Sequence, residues 1–479
     1  MAWIPPPAAV AVNRFGLGAR PGEMARIAAD PRGAVLAQLD RPVAALLQGP
    51  GLRPSDEAIR ANRYAEIERE AARARKLTVA TAAPVQAGKP GGDGMAAPDM
   101  AAPRPNVPEP PPIDAQIFQD EIVARLRRQV ATETPLLERL VLFWSNHFAV
   151  AASKSGAVKS AVGALEREAI RPHVLGRFAD MLAAVETHPA MLLYLDNTQS
   201  VGPASTVGRN QKRGLNENLA REILELHTLG VDGGYSQEDV TNLARVITGW
   251  MMTSPDDDLF HGGRFTFAVQ RHEPGEHRVL GRAYAPDLHR QGLAALADLA
   301  RHPATARHLA VKLVRHFVAD EPPAELVALL ERRYRETDGD LGQVVRALVT
   351  ADAGWRAPPA KLRTPQEFLI GAHRTIDRTP EFGPVQQALG LMGQPIFNPP
   401  GPNGWPDRTS DWLAPAGLSA RLDVAAQLAR SAGDRDPRRV IAEVLADAVS
   451  PETRDAVMRA ESRQQGLALL LMSPDLQRR

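Results

Sequence analysis

Between Gly214 and Gly230 the chain reads GLNENLAREILELHTLG, and its apolar residues recur at a helical spacing. At about 100° per residue, Leu215, Leu219, Ile223, Leu226 and Leu229 fall on one face. A leucine stripe of that period fixes the segment as a helix laid against a core. Glu222 lands inside the stripe, between Leu215 and Leu229. An unpaired buried carboxylate costs several kcal/mol, roughly. Glu222 is therefore expected to have an arginine, histidine, amide or metal as partner, or to hold a proton, and Asn218 one turn earlier is the nearest candidate. Glu217, Arg221 and Glu225 follow at i, i+4 and i+8, a spacing that suits exposed ion pairs of ~0.3–0.5 kcal/mol each. Asn216 and Asn218 flank Glu217, and asparagine is a poor helix-interior residue unless its amide is used.

The same period recurs along the chain, with helical patterns over 135–150, 157–168, 172–187, 189–195, 214–229 and 236–249. Ser236 with Asp239 three residues later reads as a capping box, so 214–249 is expected to be an αα-hairpin turning at Gly-Val-Asp-Gly-Gly. The VDGGYSQED loop lacks calcium-ligand spacing and is read as a turn. One strand signal stands out: over 264–284 Phe265 and Phe267 alternate with polar residues and Glu-Pro-Gly-Glu marks a bend. The fold class is therefore mainly α, a large multi-helix bundle-like body with one small β-hairpin. Residues 78–112 carry nine prolines and four glycines, a composition of a disordered linker or loop. The chain divides into an N-terminal helical segment, 1–77, expected to pack on the main body; the linker, 78–112; and a main helical domain, 113–479. A second proline- and glycine-rich loop, NPPGPNGWPD, interrupts the helices at 398–407. The HPA triplets at His188 and His302 are too brief to count as a repeat.

Lys+Arg of 57 against Asp+Glu of 56 leaves a net charge of +1, so no global field draws in nucleic acid or an anionic membrane. No run of apolar residues is long enough for a membrane span. The absence of cysteine removes disulfides, thiolate nucleophiles and cysteine metal ligands. The first residues, MAWIPPPAAVAVNRFGLGAR, lack a basic segment and contain three prolines, which reads as cytoplasmic rather than exported.

Candidate chemistry gathers on several helices. In LLERLVLFWSNHFAV, His147 continues the stripe of Leu136, Leu140 and Phe143 and should be buried, either as a hydrogen-bonded core histidine or at a pocket walled by Trp144, Ser145 and Asn146. Glu186 sits in the last helical turn before His188 and Pro189, where its charge opposes the helix dipole. It either serves a site or pairs with Arg171 or Arg177. Asp196 and Asn197 face the same pocket or simply end a short helix. His147, Glu186, His188, Glu217, Glu222 and His227 have the side-chain types that bind a divalent metal between facing helices, but no HExxH, Glu-x-x-His or His-x-His pattern joins them. No Gly-x-Ser-x-Gly turn signals a serine hydrolase. His308, Lys312, Arg315 and His316 share a face opposite Val311, Val314, Phe317 and Val318, expected as a solvated basic face or else an anion or partner surface. His272, Glu273 and His277 surround the bend of the strand segment.

The segments NRFGLGARP, ERLVLFWSNHFAV, REAIRPHVLGRFADMLAAVETHPAMLLYLDN, GLNENLAREILELHTLGVDGGYSQEDV with TGW, RHEPGEH, KLVRHFVAD and PPGPNGW, taken in order, resemble the bacterial family called domain of unknown function 1800. The resemblance implies a mostly helical bacterial protein, often linked to an exported sulfatase-like family, with an export signal in many members; that places a periplasmic location beside the cytoplasmic one. Two functional readings follow. In the first, an enzyme of hydrolase-like chemistry has a pocket lined by His147, Glu186, Asn218, Arg221 and Glu222, a buried carboxylate as general acid or base, and a divalent metal as the cofactor left open. In the second, the chain is a non-catalytic partner or assembly protein acting with a companion protein, and the polar helix is a satisfied network.

Overall fold

The computed structural model describes residues 5–81, 110–211, 213–258 and 260–479. Most of them are helical, with two small two-stranded antiparallel sheets, so the chain is mainly α. No helix among the described residues is long and apolar enough to cross a membrane. The proline-rich segment expected as a linker falls largely on 82–109, outside the described residues; the helix Ser55–Thr81 runs up to it and Ile113–Ala131 follows it.

A continuous cluster of buried apolar side chains extends from Ala8 to Leu476. Ser55–Thr81 and Ile113–Ala131 both pack on Gly156–Leu165, Pro303–Phe317 packs on Ala324–Glu336, and Pro415–Ser431 packs on Arg463–Met472. Buried arginines tie the first helices to distant chain: Arg14 donates to the Gly354 carbonyl at 2.8 Å and Arg374 to the Gly18 carbonyl at 2.8 Å. Their guanidinium forks satisfy backbone carbonyls that a helical core otherwise leaves orphaned at helix ends.

Local sequence explains several helix boundaries. Ser236 accepts the Asp239 amide and the Asp239 carboxylate accepts the Ser236 amide, the expected capping box. The two HPA triplets act alike: His188 and His302 each accept, through Nδ1, the amide of Ala190 and Ala304 at 3.2 Å, with proline at the first helical position. The helix expected from 214 begins only at Asn218, because the Asn216 side chain accepts the Asn218 amide at 2.9 Å and holds the chain in an Asx turn.

The strand segment forms two hairpins on either side of the Glu-Pro-Gly-Glu bend. Trp250–Met252 (β1) pairs with Phe265–Phe267 (β2), and His277–Val279 (β3) pairs with Arg282–Tyr284 (β4). The β3–β4 turn uses Leu280 and Gly281, both at positive φ (50° and 77°), the geometry that matches the twist of a two-residue hairpin. Phe265 and Phe267 thus turn back to residues preceding them instead of pairing forward, which alternation along one strand does not encode.

Among the described residues three helices carry π turns, Glu166–Ile170, Ile223–His227 and Ile441–Leu445. A π turn adds a residue to the i→i+4 cycle and rotates everything beyond it. In the 214–230 segment the consequence is visible in burial. Leu219, Ile223, Leu224 and His227 are fully buried, whereas Leu226, expected on the stripe, is only partly so.

Candidate functional site

His147 lies at the end of Pro135–His147, a helix buried on nearly every side. Its ring packs edge-on against Trp144 and Phe148, at 5.2 and 4.6 Å between centroids. Both ring nitrogens are used. Nε2 lies 3.1 Å from the His227 carbonyl, one of the last carbonyls of the π turn and without a helical partner, so Nε2 carries the hydrogen and donates it. That leaves Nδ1 as an acceptor, 2.9 Å from the Lys312 ammonium. Burial, reinforced by Lys312, pushes the His147 pKa well below its ordinary range, which agrees with a neutral ring. His308 plays a parallel part, its Nε2 lying 3.2 Å from the Leu226 carbonyl, and burial with Lys312 nearby brings its pKa down to about 4.

Behind His147, His227 Nδ1 and Glu186 Oε1 are 2.7 Å apart, and both side chains are fully buried. Glu186 therefore pairs with neither arginine proposed from sequence: Arg171 bonds Glu138 and Glu166 inside the core, and Arg177 bonds Asp338 at the surface. Among the described residues His227 Nε2 and Glu186 Oε2 have no hydrogen-bond partner. The π turn produces this arrangement, because the extra residue swings His227 inward toward the Phe178–Glu186 helix.

Glu222 is half-buried, not enclosed in the apolar face. Burial pushes its carboxyl above the ordinary range; His227 and Arg221 pull it back and Glu225 and Glu186 push further. Asn218, its expected partner, is exposed and begins the helix. Arg221 joins Glu217 and Glu225 at 3.2 and 3.3 Å in the i, i+4 ladder that the spacing suggested, extended by Gln237 at 3.0 Å. Of the five residues assigned to one pocket from sequence, His147 and Glu186 are brought together through His227. Glu222 lies within electrostatic reach of that pair, and Arg221 and Asn218 face outward.

The basic face of Pro303–Phe317 is not a solvated stripe. Lys312 and His308 turn onto the His147 helix and the π turn, and His316 is buried, with Nδ1 3.2 Å from Asp407. Lys312, Arg315 and His316 line a cavity of about 280 Å³ together with His147, Phe143, Trp405, Asp407 and neighbouring residues. Its far wall is the proline- and glycine-rich loop. The Asn146 side-chain amide clasps that loop at two points, donating to the Trp405 carbonyl at 2.9 Å and accepting the Trp405 amide at 2.7 Å. Gly404 precedes this clasp at φ 75°, and a Cβ there would lie 2.4 Å from the Asn146 carbonyl oxygen, so only glycine fits.

Electrostatics distinguish the groups around the cavity. Burial works to raise the Asp407 carboxyl, but His316, Lys361 and Arg479 outweigh it and hold the group well below the usual carboxylate range. Burial brings the Lys312 ammonium down to about 8, with Asp407 opposing and Arg315 adding to the fall. A lysine near 8 has an appreciable share of neutral amine at physiological pH, the condition for a general base or nucleophile. Among the described residues no three metal-binding side chains converge, so the metal set considered from sequence is not assembled.

Other sequence candidates serve the framework. Ser145 donates to Glu166 at 2.8 Å, Lys154 holds Asp196 at 2.6 Å, and Asn197 donates to the Trp250 carbonyl at 3.0 Å. His272 bonds the Thr248 carbonyl at 2.9 Å and Glu273 accepts the Ala204 amide at 2.8 Å, so these residues close the hairpin region and form no exposed clamp.

The model of the protein family described as a protein of unknown function (DUF1800) matches residues 10–478, nearly the whole chain. The chain belongs to the DUF1800 family. Comparison with curated proteins and with solved structures returned no match. Within this DUF1800 chain the residue that sequence reasoning left outside the site is Lys312. A signal existed: the chain holds 50 arginines and 7 lysines, and two of those lysines, Lys312 and Lys361, stand around Asp407. Where arginine is the habitual cation, a lysine is the cation whose proton can leave near neutral pH.

Proposed function

We propose that the chain is an enzyme that uses Lys312 as a general acid–base in the cavity beneath the 398–407 loop. The observation that carries this reading is the 2.9 Å bond between the Lys312 ammonium and His147 Nδ1 at the cavity wall. His147 cannot rotate away, since its other nitrogen is committed to the His227 carbonyl, so it acts as a positioning residue for the amine. In a hydrolytic cycle the neutral amine takes a proton from the attacking water, that oxygen bonds to the substrate's electrophilic centre, and the resulting ammonium returns the proton to the departing group as the bond between that group and the centre breaks. Glu186 and His227 support this arrangement from behind by fixing the end of the π turn whose carbonyl holds His147. The non-catalytic partner reading finds support in the closed Glu217–Arg221–Glu225–Gln237 ladder, a satisfied network on the surface. It leaves the open cavity and the Lys312–His147 pair without a role.

The test combines two measurements on the full chain. Amine labelling of Lys312 followed against pH should show half-reaction near pH 8, where an ordinary lysine reacts only above 10. A panel of chromogenic esters, amides, phosphoesters and glycosides should contain a compound turned over by the wild type and not by Lys312→Met. An ordinary labelling profile, or turnover that survives the substitution, would overturn the reading.

A further inference from the structure

Interior cations of this chain are matched by carboxylates or, at Arg14, Arg363 and Arg421, by carbonyl and side-chain amide oxygens. Arg139 meets Glu367 at 2.8 Å, Arg171 meets Glu138 at 2.8 Å, Arg374 meets Glu23 at 2.9 Å and Lys361 meets Asp320 at 2.8 Å. The cavity wall departs from this pattern. Lys312 and Arg315, three residues apart on one helix and both half-buried, have no ion-pair partner among the described residues. The Lys312 ammonium is bonded to a neutral imidazole, and the Arg315 guanidinium to the Asp320 carbonyl through Nε alone, at 3.3 Å. Two ammonium hydrogens and the four on the Arg315 Nη atoms are left over.

Among the described residues, neither carboxylate lining the same cavity is in ion-pair contact with Lys312 or Arg315. Asp407 is held by His316 at 3.2 Å and Lys361 at 3.3 Å, and Asp411 accepts the Arg408 amide at 3.2 Å. Arg408 itself reaches outward to Glu321 at 2.9 Å. The cavity therefore has two cations side by side, neither in contact with a carboxylate, and an anion entering from outside would relieve their mutual repulsion. An oxyanion offers several acceptor lone pairs on adjacent oxygens, and a guanidinium fork beside an ammonium is the donor set that such a group fits. Trp405 and Phe143, lining the same space, offer apolar surface to whatever the anion is attached to.

We infer that the cavity binds a small molecule bearing an oxyanion, a carboxylate or a phosphate group, held between Lys312 and Arg315 with its body against Trp405. This rests on the enzymatic reading of the same cavity and adds the substrate class to it. The anion would sit beside the proposed acid–base group, so the susceptible bond lies next to the charged end of the substrate.

Calorimetric titration of the full chain with inorganic phosphate and, separately, with acetate tests the inference. At least one probe should bind saturably, and the stronger of the two identifies the source of the oxyanion. Arg315→Gln and Lys312→Met should each weaken that binding about tenfold or more, equivalent to ~1.4 kcal/mol. Arg315→Lys, which keeps the charge and loses the fork, should fall between. Arg307→Gln, on the exposed side of the same helix and paired with Glu331, should change nothing. Absence of binding for both probes, or affinity unaltered in Arg315→Gln, would overturn the inference. Binding that depends on Arg315 together with an ordinary labelling profile for Lys312 would keep the anion site and refute the acid–base role; the reverse pattern would do the opposite.

Discussion

Replacing Lys312 by methionine should make the protein more stable at pH 7 while removing the function assigned to the cavity. The ammonium pKa is brought down to about 8 from the ordinary 10.5, mainly by burial. That gap corresponds to roughly 3 kcal/mol of unfavourable interaction for the charged folded form. Methionine removes the charge and keeps most of the length, but leaves His147 Nδ1 without its donor, a loss of ~1–2 kcal/mol for a buried acceptor. The net gain expected is therefore about 1–2 kcal/mol at pH 7. The sign of the pH dependence is fixed by the same numbers. Between about 8 and 10.5 the folded wild type binds fewer protons than the unfolded chain, so its stability rises with pH in that window. The advantage of the variant is thus complete below pH 8 and shrinks as pH climbs toward 10.5. The other titratable groups facing Lys312 lie well below this window: His308 and His316 are brought down to about 4 by burial, His147 lies well below its ordinary value, and the Asp407 carboxyl is held below the usual carboxylate range. Urea unfolding of both proteins at pH 7, 8.5 and 10 measures the difference. A variant less stable than wild type at pH 7, or a difference that does not move with pH, would refute the reasoning.

Glu186→Ala should cost about 3–5 kcal/mol, because it strands the fully buried His227 ring, whereas Glu186→Gln, which can still accept from Nδ1, should cost only ~1 kcal/mol; equal losses in urea unfolding would show that the pair is not the anchor of the π turn. Glu222→Gln should stabilise the protein at neutral pH and leave it unchanged in acid. Its carboxyl is raised mainly by burial, so wild-type stability falls as pH rises through the carboxylate range, and comparing the variant's pH–stability curve with the wild type's checks the sign. Gly404→Ala should displace the 398–407 loop, since φ 75° and a 2.4 Å approach to the Asn146 carbonyl oxygen leave no room for a methyl group. A loss of about 2 kcal/mol or more and a shifted Trp405 fluorescence are expected, and an unaltered spectrum would count against the clasp.

The amino-acid sequence by itself determined what depends on neighbours along the chain. Helical periodicity, the Ser236–Asp239 capping box and the Glu217–Arg221–Glu225 ladder are local, and each is found where its spacing puts it. The burial of His147 was legible for the same reason, since a histidine within an apolar helical stripe has nowhere else to go. The tertiary structure decided the rest. A π turn is one residue of extra rotation, chosen by how the helix meets its neighbours and not by its own residues. That single residue moved His227 inward to Glu186 and turned two orphan carbonyls toward His147 and His308. The pairing of β2 back to β1 and the folding of a basic helix face onto a cavity likewise join segments far apart in sequence. Lys312 and His147 stand 165 residues apart along the chain and 2.9 Å apart in space. Periodicity assigns each to its own helix face, but only packing brings the two faces together and lowers the dielectric around them enough to change what their protons do.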